Sequence, residues 1–140
     1  MADDPTVHAA VDAWIAALNA MLNGDAAPFA EVYSHADDAS YMSAEGTFRV
    51  GWSAIEADWK AQAEKALGGN VRYSDLHTVV DGDMAVAQYR LATSVTGPDG
   101  KTSDVAIRET NVFRKEDGRW KMIAHQADDF TLWEQVVDRS

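Results

Sequence analysis

The 140-residue sequence contains no cysteine. That excludes disulfide scaffolds and thiolate-held zinc or iron–sulfur centres. Three prolines and the lack of any Pro/Ser-rich tract or internal repeat leave no candidate linker, so one domain over residues 1–140 is expected. No window approaches the roughly 18 apolar residues of a membrane span. The first residues, Met1-Ala2-Asp3-Asp4-Pro5, have neither the basic start nor the apolar stretch of a signal peptide, and a cytoplasmic protein is expected. Positive charge is scarce. Twelve Lys and Arg stand against 23 Asp and Glu, for a net charge of −11. Such a chain repels phosphate backbones and anionic bilayers, so neither nucleic acid nor membrane is an expected partner. The 46% apolar content is too high for disorder and suffices for one core.

The first third reads as helical. Asp4 and Pro5 suit an N-cap and the first helical position. Val7, Val11, Trp14, Ile15, Leu18, Met21 and Leu22 follow at three- and four-residue steps, and Asn23-Gly24 ends the stripe. Asp25 can cap a short second helix with Phe29, Val32 and Tyr33. A short strand is expected at Ser40–Ser43. Ser53-Ala54-Ile55-Glu56 fits a capping box for a third helix, with Ile55, Trp59, Ala63, Ala66 and Leu67 inward and Gly68-Gly69 as its stop. From Val71 the apolar period changes from about 3.6 to 2. Four strands are expected at Val71–Val80, Met84–Val95, Ser103–Arg114 and Arg119–Asp128. The short turns between them imply antiparallel neighbours. Thr131-Leu132-Trp133-Glu134 matches a capping box again and predicts a terminal helical turn with Trp133 and Val137. The class is α+β, with three N-terminal helices on one face of a curved sheet.

Taking Glu116-Asp117-Gly118 as a three-residue loop registers the last hairpin, with Lys115 opposite Arg119 and Arg108 opposite Gln126. One face then carries Arg108, Thr110, Val112, Trp120, Met122, Gln126 and Asp128. The other carries Val105, Ile107, Phe113, Ile123 and His125. Both faces are substantially apolar and the helices cover only one. A second copy of the chain is the simplest cover for the other, which predicts a homodimer through the outer sheet face. In the preceding hairpin, pairing Thr96 with Lys101 sets Tyr89 beside Arg108; a loop shifted by one residue sets Arg90 there instead.

Several motifs recur in a familiar order: Leu22-Asn23-Gly24-Asp25; Val32-Tyr33 with Asp37-Asp38-Ala39; Gly46 before Gly51-Trp52; Arg108-Glu109-Thr110-Asn111-Val112-Phe113; and Asp117-Gly118-Arg119-Trp120-Lys121-Met122-Ile123-Ala124-His125-Gln126. From Val7 to Phe130 the chain resembles the SnoaL-like and ketosteroid-isomerase-like branch of the nuclear transport factor 2-like superfamily. The resemblance implies a cystatin-like cone of bent antiparallel or mixed sheet, with a pocket open at one end, in a homodimer. It implies no single chemistry, since isomerases, polyketide cyclases, dehydratases, epoxide hydrolases and noncatalytic modules share the fold. The isomerase base, tyrosine and acid positions fall on Ser43, Ala17 and Thr110, and none keeps the needed group. Epoxide-hydrolase relatives bridge two aspartates with an arginine. Arg108 and Asp128 supply two of those parts, and Asp104 lies too far along its strand to be the third.

The expected site is therefore an apolar, aromatic pocket with Arg108 and Asp128 inside it as catalytic residues. Arg108 would clamp a carboxylate or enolate oxygen and Asp128 would move a proton. Gln126 and Thr110 would line it, with Tyr33, Tyr41, Tyr89, Trp14, Trp52, Trp59 and Trp120 as its aromatic wall. His125 is expected on the outer face. His35, Asp37 and Asp38 have metal-ligand types without rigid spacing, so no metal and no cofactor is expected. The expected partner is a small apolar or aromatic molecule. Three functions remain open: an isomerase- or cyclase-type enzyme acting on a ketone or polyketide-like substrate, a noncatalytic dimeric binding or assembly module, and a water-activating hydrolase.

Overall fold

The computed structural model describes residues 5–96 and 98–129. The expected Asp4 cap and the helical turn with Trp133 and Val137 lie outside the described residues. Helix α1 (Pro5–Leu22) follows the apolar stripe, and α2 (Phe29–Val32) is a single turn. Then come β1 (Ser40–Met42), β2 (Phe48–Val50) and helix α3 (Trp52–Lys65). The chain ends in β3 (Arg72–Asp81), β4 (Met84–Thr96), β5 (Thr102–Glu116) and β6 (Arg119–Asp129). These form one six-stranded sheet in the order β2-β1-β6-β5-β4-β3. Every pairing is antiparallel except β1 with β6, which is parallel. The result is the curved α+β sheet that the sequence predicts.

Local chemistry explains the element ends. Gly24 adopts φ +97°, and Gly24 N–H and Asp25 N–H return to the carbonyls of Met21 and Ala20, which closes α1 with a left-handed cap. The capping box expected at Ser53 does not form. Gly51 is the N-cap, at φ 89°, with no side-chain cap bond, and the helix already includes Trp52 and Ser53. Gly51 N–H is instead bound to the Ala39 carbonyl at 2.7 Å, which fixes the entry to α3 from the β1 side. At its other end α3 stops at the left-handed Ala66, before the expected Gly68-Gly69. Gly69 is needed for close approach, because a Cβ there would sit 2.5 Å from the Ser94 carbonyl oxygen.

The last hairpin corrects the expected register. Glu116 pairs with Arg119, so the loop is the two residues Asp117 and Gly118, both at positive φ (52° and 76°). That is the geometry an Asp-Gly pair favours. A second irregularity follows: Phe113 pairs with Met122 but Val112 pairs with Ala124, which leaves Ile123 as an extra residue. Together these bring Arg108 opposite Asp128, Thr110 opposite Gln126 and Asn111 opposite His125. Met122 turns inward beside Phe113, and both are buried. Thr96 pairs with Thr102, which sets Arg90 beside Arg108 and Tyr89 beside Glu109, the shifted alternative.

The helices cover one face. Helix α1 packs on β3, β4 and β6, α2 on β6, and α3 on β1 and β2. Trp14 lies at the centre of the core, with Phe29, Tyr33, Trp59 and His125 around it at centroid distances of 4.8–6.0 Å. The outer face is more polar than the sequence reading held. Gln88, Arg90, Arg108, Gln126 and Asp128 are exposed there, with Val86, Val112 and Ala124 half-buried between them.

Candidate functional site

Strand β5 sends Val105, Ile107, Glu109, Asn111 and Phe113 toward the helices by simple alternation. Two of these five are polar and buried: Glu109 is 5% exposed and Asn111 fully enclosed. A buried polar group must find partners, and these do. Tyr89 O–H donates to Glu109 Oε1 at 2.6 Å, and Trp14 Nε1–H donates to the same oxygen at 3.0 Å. Asn111 Nδ2–H donates to Tyr89 OH at 2.7 Å and lies 3.4 Å from Glu109 Oε1. Asn111 Oδ1 lies 2.6 Å from His125 Nδ1. A carbonyl oxygen can only accept, so His125 Nδ1 carries the proton. A directional chain therefore runs from His125 through Asn111 and Tyr89 to Glu109.

That assignment leaves Nε2 of His125 as a lone-pair nitrogen, and among the described residues it has no hydrogen-bond partner. His125 lines a cavity of about 280 Å³ between helices and sheet, open to solvent where the exposed Glu45, Leu67 and Asp129 stand. The apolar wall comes from Leu18, Met21 and Leu22 of α1, Trp59 of α3, and Leu91, Val105 and Ile107 of the sheet. Glu109 and His125 form its polar end, and Tyr41, Ser43 and Gln62 lie on the β1–α3 side. The parallel pairing of Tyr41 with His125 sets their rings face to face at 5.7 Å. Gln62 Nε2–H donates to Tyr41 OH at 2.7 Å. The volume is at the low end of ligand pockets and suits a small ring compound.

Burial governs the electrostatics. It pushes the His125 imidazole below its ordinary 6.5, with Glu109 pulling weakly the other way. Burial, reinforced by the Glu109 charge, pushes the Tyr89 phenol well above its ordinary 10.0. Tyr41 is raised too, chiefly by burial. At neutral pH the cavity lining thus offers a neutral imidazole and the protonated phenol of Tyr41, with the protonated Tyr89 behind it.

The expected residues divide sharply. Tyr41 and Trp59 line the cavity. Trp14 and Tyr89 stand behind it, holding Glu109. Tyr33 is buried, donating to the Ser40 carbonyl. Trp52 stacks on His35 at 4.5 Å, outside the cavity lining. Trp120 donates to Thr6 Oγ1 at 2.8 Å with Lys115 over its ring. The largest correction concerns Arg108 and Asp128. They form a bidentate pair, at 3.0 and 2.6 Å, but on the outer face and 59% and 51% exposed. Gln126 is exposed on that face, and Thr110 accepts there from Gln88. These four residues line an open hollow of about 380 Å³ outside the sheet, not the interior cavity. His125 makes the reverse move, from the expected surface to the inside. The physical reason is that alternation fixes which residues share a face but not which face the helices cover. Glu109 and Asn111 were missed for the same reason. Their signal was present as two polar side chains in step with Ile107 and Phe113.

The former metal candidates are engaged elsewhere. His35 Nε2 lies 2.8 Å from the Ala30 carbonyl, and Asp38 takes Arg114 at 2.8 and 3.0 Å. That guanidinium holds the Asp38 carboxyl below its usual range. No group of three potential metal ligands converges among the described residues.

Fold and site together define an α+β domain with a partly open apolar hollow and a hydrogen-bonded polar end. The chain belongs to the SnoaL-like domain family, whose sequence profile matches residues 7–127. Its fold is that of the nuclear transport factor 2-like superfamily. One similar solved structure is a candidate dehydratase of that superfamily from Streptomyces avermitilis, with TM-score 0.79 and 20% identity over 89% of this chain and 94% of that one. Another is a candidate ketosteroid isomerase from Shewanella frigidimarina, with TM-score 0.71 and 18% identity over 88% and 94%. A third is a candidate calcium/calmodulin-dependent protein kinase II association domain from Xanthomonas campestris, with TM-score 0.74 and 27% identity over 94% and 90%. No curated protein sequence matches the chain. No helix among the described residues is long and apolar enough to cross a membrane.

The buried imidazole makes stability depend on pH. His125 is harder to protonate folded than unfolded, so its contribution is whole above pH 6.5 and falls as pH drops below that value. The slope from this group is at most about 1.4 kcal/mol per pH unit. Urea denaturation from neutral pH down to about pH 5 should show the decline, and His125→Gln should flatten it. An equally steep decline in the variant contradicts this account.

Proposed function

We propose that the interior cavity binds a small, mostly apolar ring ketone and that His125 moves a proton beside its carbonyl. One observation carries this reading: a neutral imidazole with its Nε2 lone pair on an apolar cavity, backed by a chain that ends on Glu109. A base suits its task when its pKa lies near the working pH and its proton-accepting nitrogen is free. When Nε2 takes a proton from the ligand carbon, the imidazolium charge is relieved through Nδ1–H, Asn111 and Tyr89 toward Glu109. The apolar walls strengthen that interaction by excluding water. The Arg108 clamp has no place in this reading, because the guanidinium lies outside the cavity. Two similar structures bear the names of a dehydratase and a ketosteroid isomerase, which agrees with proton-transfer chemistry.

Proton abstraction can be measured without the natural substrate. Exchange of the α-hydrogens of α-tetralone in D2O should be accelerated by the protein, and His125→Gln should remove about a hundredfold of that acceleration. Glu109→Gln should slow exchange less. Full exchange activity in His125→Gln refutes the base assignment, and failure of α-tetralone to bind refutes the pocket reading.

The association-domain likeness favours a second reading, an assembly role for the other face of the sheet. We infer a homodimer through that face. Its charges are self-complementary, because Arg108 with Asp128 and Arg90 with Asp75 give each cation an acid that a two-fold axis could exchange. Exposed Val79 and half-buried Val86 and Val112 supply apolar contact. Sedimentation equilibrium should find a dimer at micromolar concentration and a monomer for Thr110→Arg. A wild-type monomer contradicts the inference.

A further inference from the structure

The hydrogen-bond chain fixes what His125 offers the cavity. It also leaves a second atom of the polar end unused. Glu109 is 5% exposed and receives its hydrogen bonds on Oε1 alone: from Tyr89 at 2.6 Å and Trp14 at 3.0 Å, with Asn111 Nδ2 at 3.4 Å. Glu109 Oε2 has no hydrogen-bond partner among the described residues. The one enclosed side-chain nitrogen or oxygen without a partner among them is Trp59 Nε1, so Oε2 is not walled in. It opens on the space that the Glu109 side chain borders, and on the helix side of the sheet that space is the cavity.

A carboxylate oxygen can only accept. Glu109 acts on Tyr89 and His125 as a negative charge, and among the described residues no lysine or arginine lines the cavity. The His125 proton is engaged on Nδ1 by Asn111. Water entering from the open side can meet Oε2 in the free protein. A ring compound that fills the cavity expels that water, and a ring without a donor leaves a charged acceptor unmet. One ligand hydroxyl would restore the bond. An ammonium needs partners for three N–H groups, and the polar end leaves two acceptor atoms, Glu109 Oε2 and His125 Nε2. Glu109 stands opposite Ala127, one diagonal step from His125 on the neighbouring strand. Diagonal neighbours on one face of a sheet lie about 7–8 Å apart, within the span of one bicyclic ring.

We infer that Glu109 Oε2 is a specificity-determining acceptor, and that the ligand of the cavity is a ring ketone bearing a hydroxyl that donates to it. This rests on the proposed ketone-binding function and adds the second polar group of the ligand. Anchoring the hydroxyl at Glu109 sets which carbon of the ring lies at His125, so the same bond orients the ketone for proton removal.

The test measures binding to the full chain of α-tetralone, its 5-, 6- and 7-hydroxy derivatives, the matching fluoro compounds and the ammonium 1-aminotetralin. Fluorine is close to hydroxyl in size and cannot donate. At least one hydroxy isomer should bind about tenfold more tightly than α-tetralone, and its fluoro counterpart should not share the gain. Glu109→Gln supplies a second measurement. Its amide oxygen can take over the bonds of Oε1, which turns the donor NH2 toward the cavity, and the hydroxy isomer should then bind within about twofold of its parent. The inference is overturned if no hydroxy isomer gains, if fluorine gives the same gain, if the gain survives in Glu109→Gln, or if the ammonium binds more tightly than every hydroxy ketone. If Glu109→Gln does not fold, the hydroxy and fluoro comparison on the wild-type chain decides. If neither α-tetralone nor any hydroxy isomer binds, the proposed function falls with the inference. If the hydroxyl gain is found but α-hydrogens do not exchange, only the catalytic reading falls.

Discussion

The interior is organised around one carboxyl group. Glu109 sits on the helix side of the sheet, and its Oε1 is the convergence point for Tyr89 and Trp14, with Asn111 close by. Each partner comes from a different element: Trp14 from α1, Tyr89 from β4, Asn111 from β5 itself. Removing the acceptor would strand buried donors on two other elements, at about 1–3 kcal/mol for each. The same bonds that hold α1 to the sheet also aim His125, because Asn111 uses its amide nitrogen for Tyr89 and has only its oxygen left for the imidazole. Packing and site chemistry are one arrangement.

The two faces of β5 show how far identical alternation can diverge in consequence. Glu109 and Arg108 are neighbours in sequence, yet one is enclosed and the other is mostly in solvent. The Arg108–Asp128 pair has good bidentate geometry, but at that exposure water screens it and it contributes little to stability. The inward chain involves fewer formal charges and matters more, because it lies where water cannot compete.

Much of the architecture was legible in the sequence. The stripe from Val7 to Leu22 and the switch of period at Val71 locate the long helix and the four long strands to within a residue or two. Local signals carry that information. What could not be read rests on pairing at a distance. Nothing near Ser40 announces a parallel partner at Ala124, and the register shift made by the two-residue turn at Asp117-Gly118 is increased by the extra residue at Ile123. Strand β2 was absent from the reading because three residues offer no periodicity. The site suffered most. Trp59 and Tyr41 line the cavity on the helix side, whereas Arg108, Asp128, Gln126 and Thr110 lie on the opposite side of the sheet from the one expected. A glutamate flanked by arginine and threonine reads as a surface residue until the neighbours two positions away are counted.

The central claim is that His125 is held as one neutral tautomer, with its proton on Nδ1 and its lone pair on the cavity. Long-range ¹H–¹⁵N correlation of the His125 ring at neutral pH tests this most directly. The account predicts a protonated Nδ1 and an unprotonated Nε2 with the chemical shift of a pyridine-like nitrogen. A ring protonated on Nε2, or on both nitrogens, would contradict it.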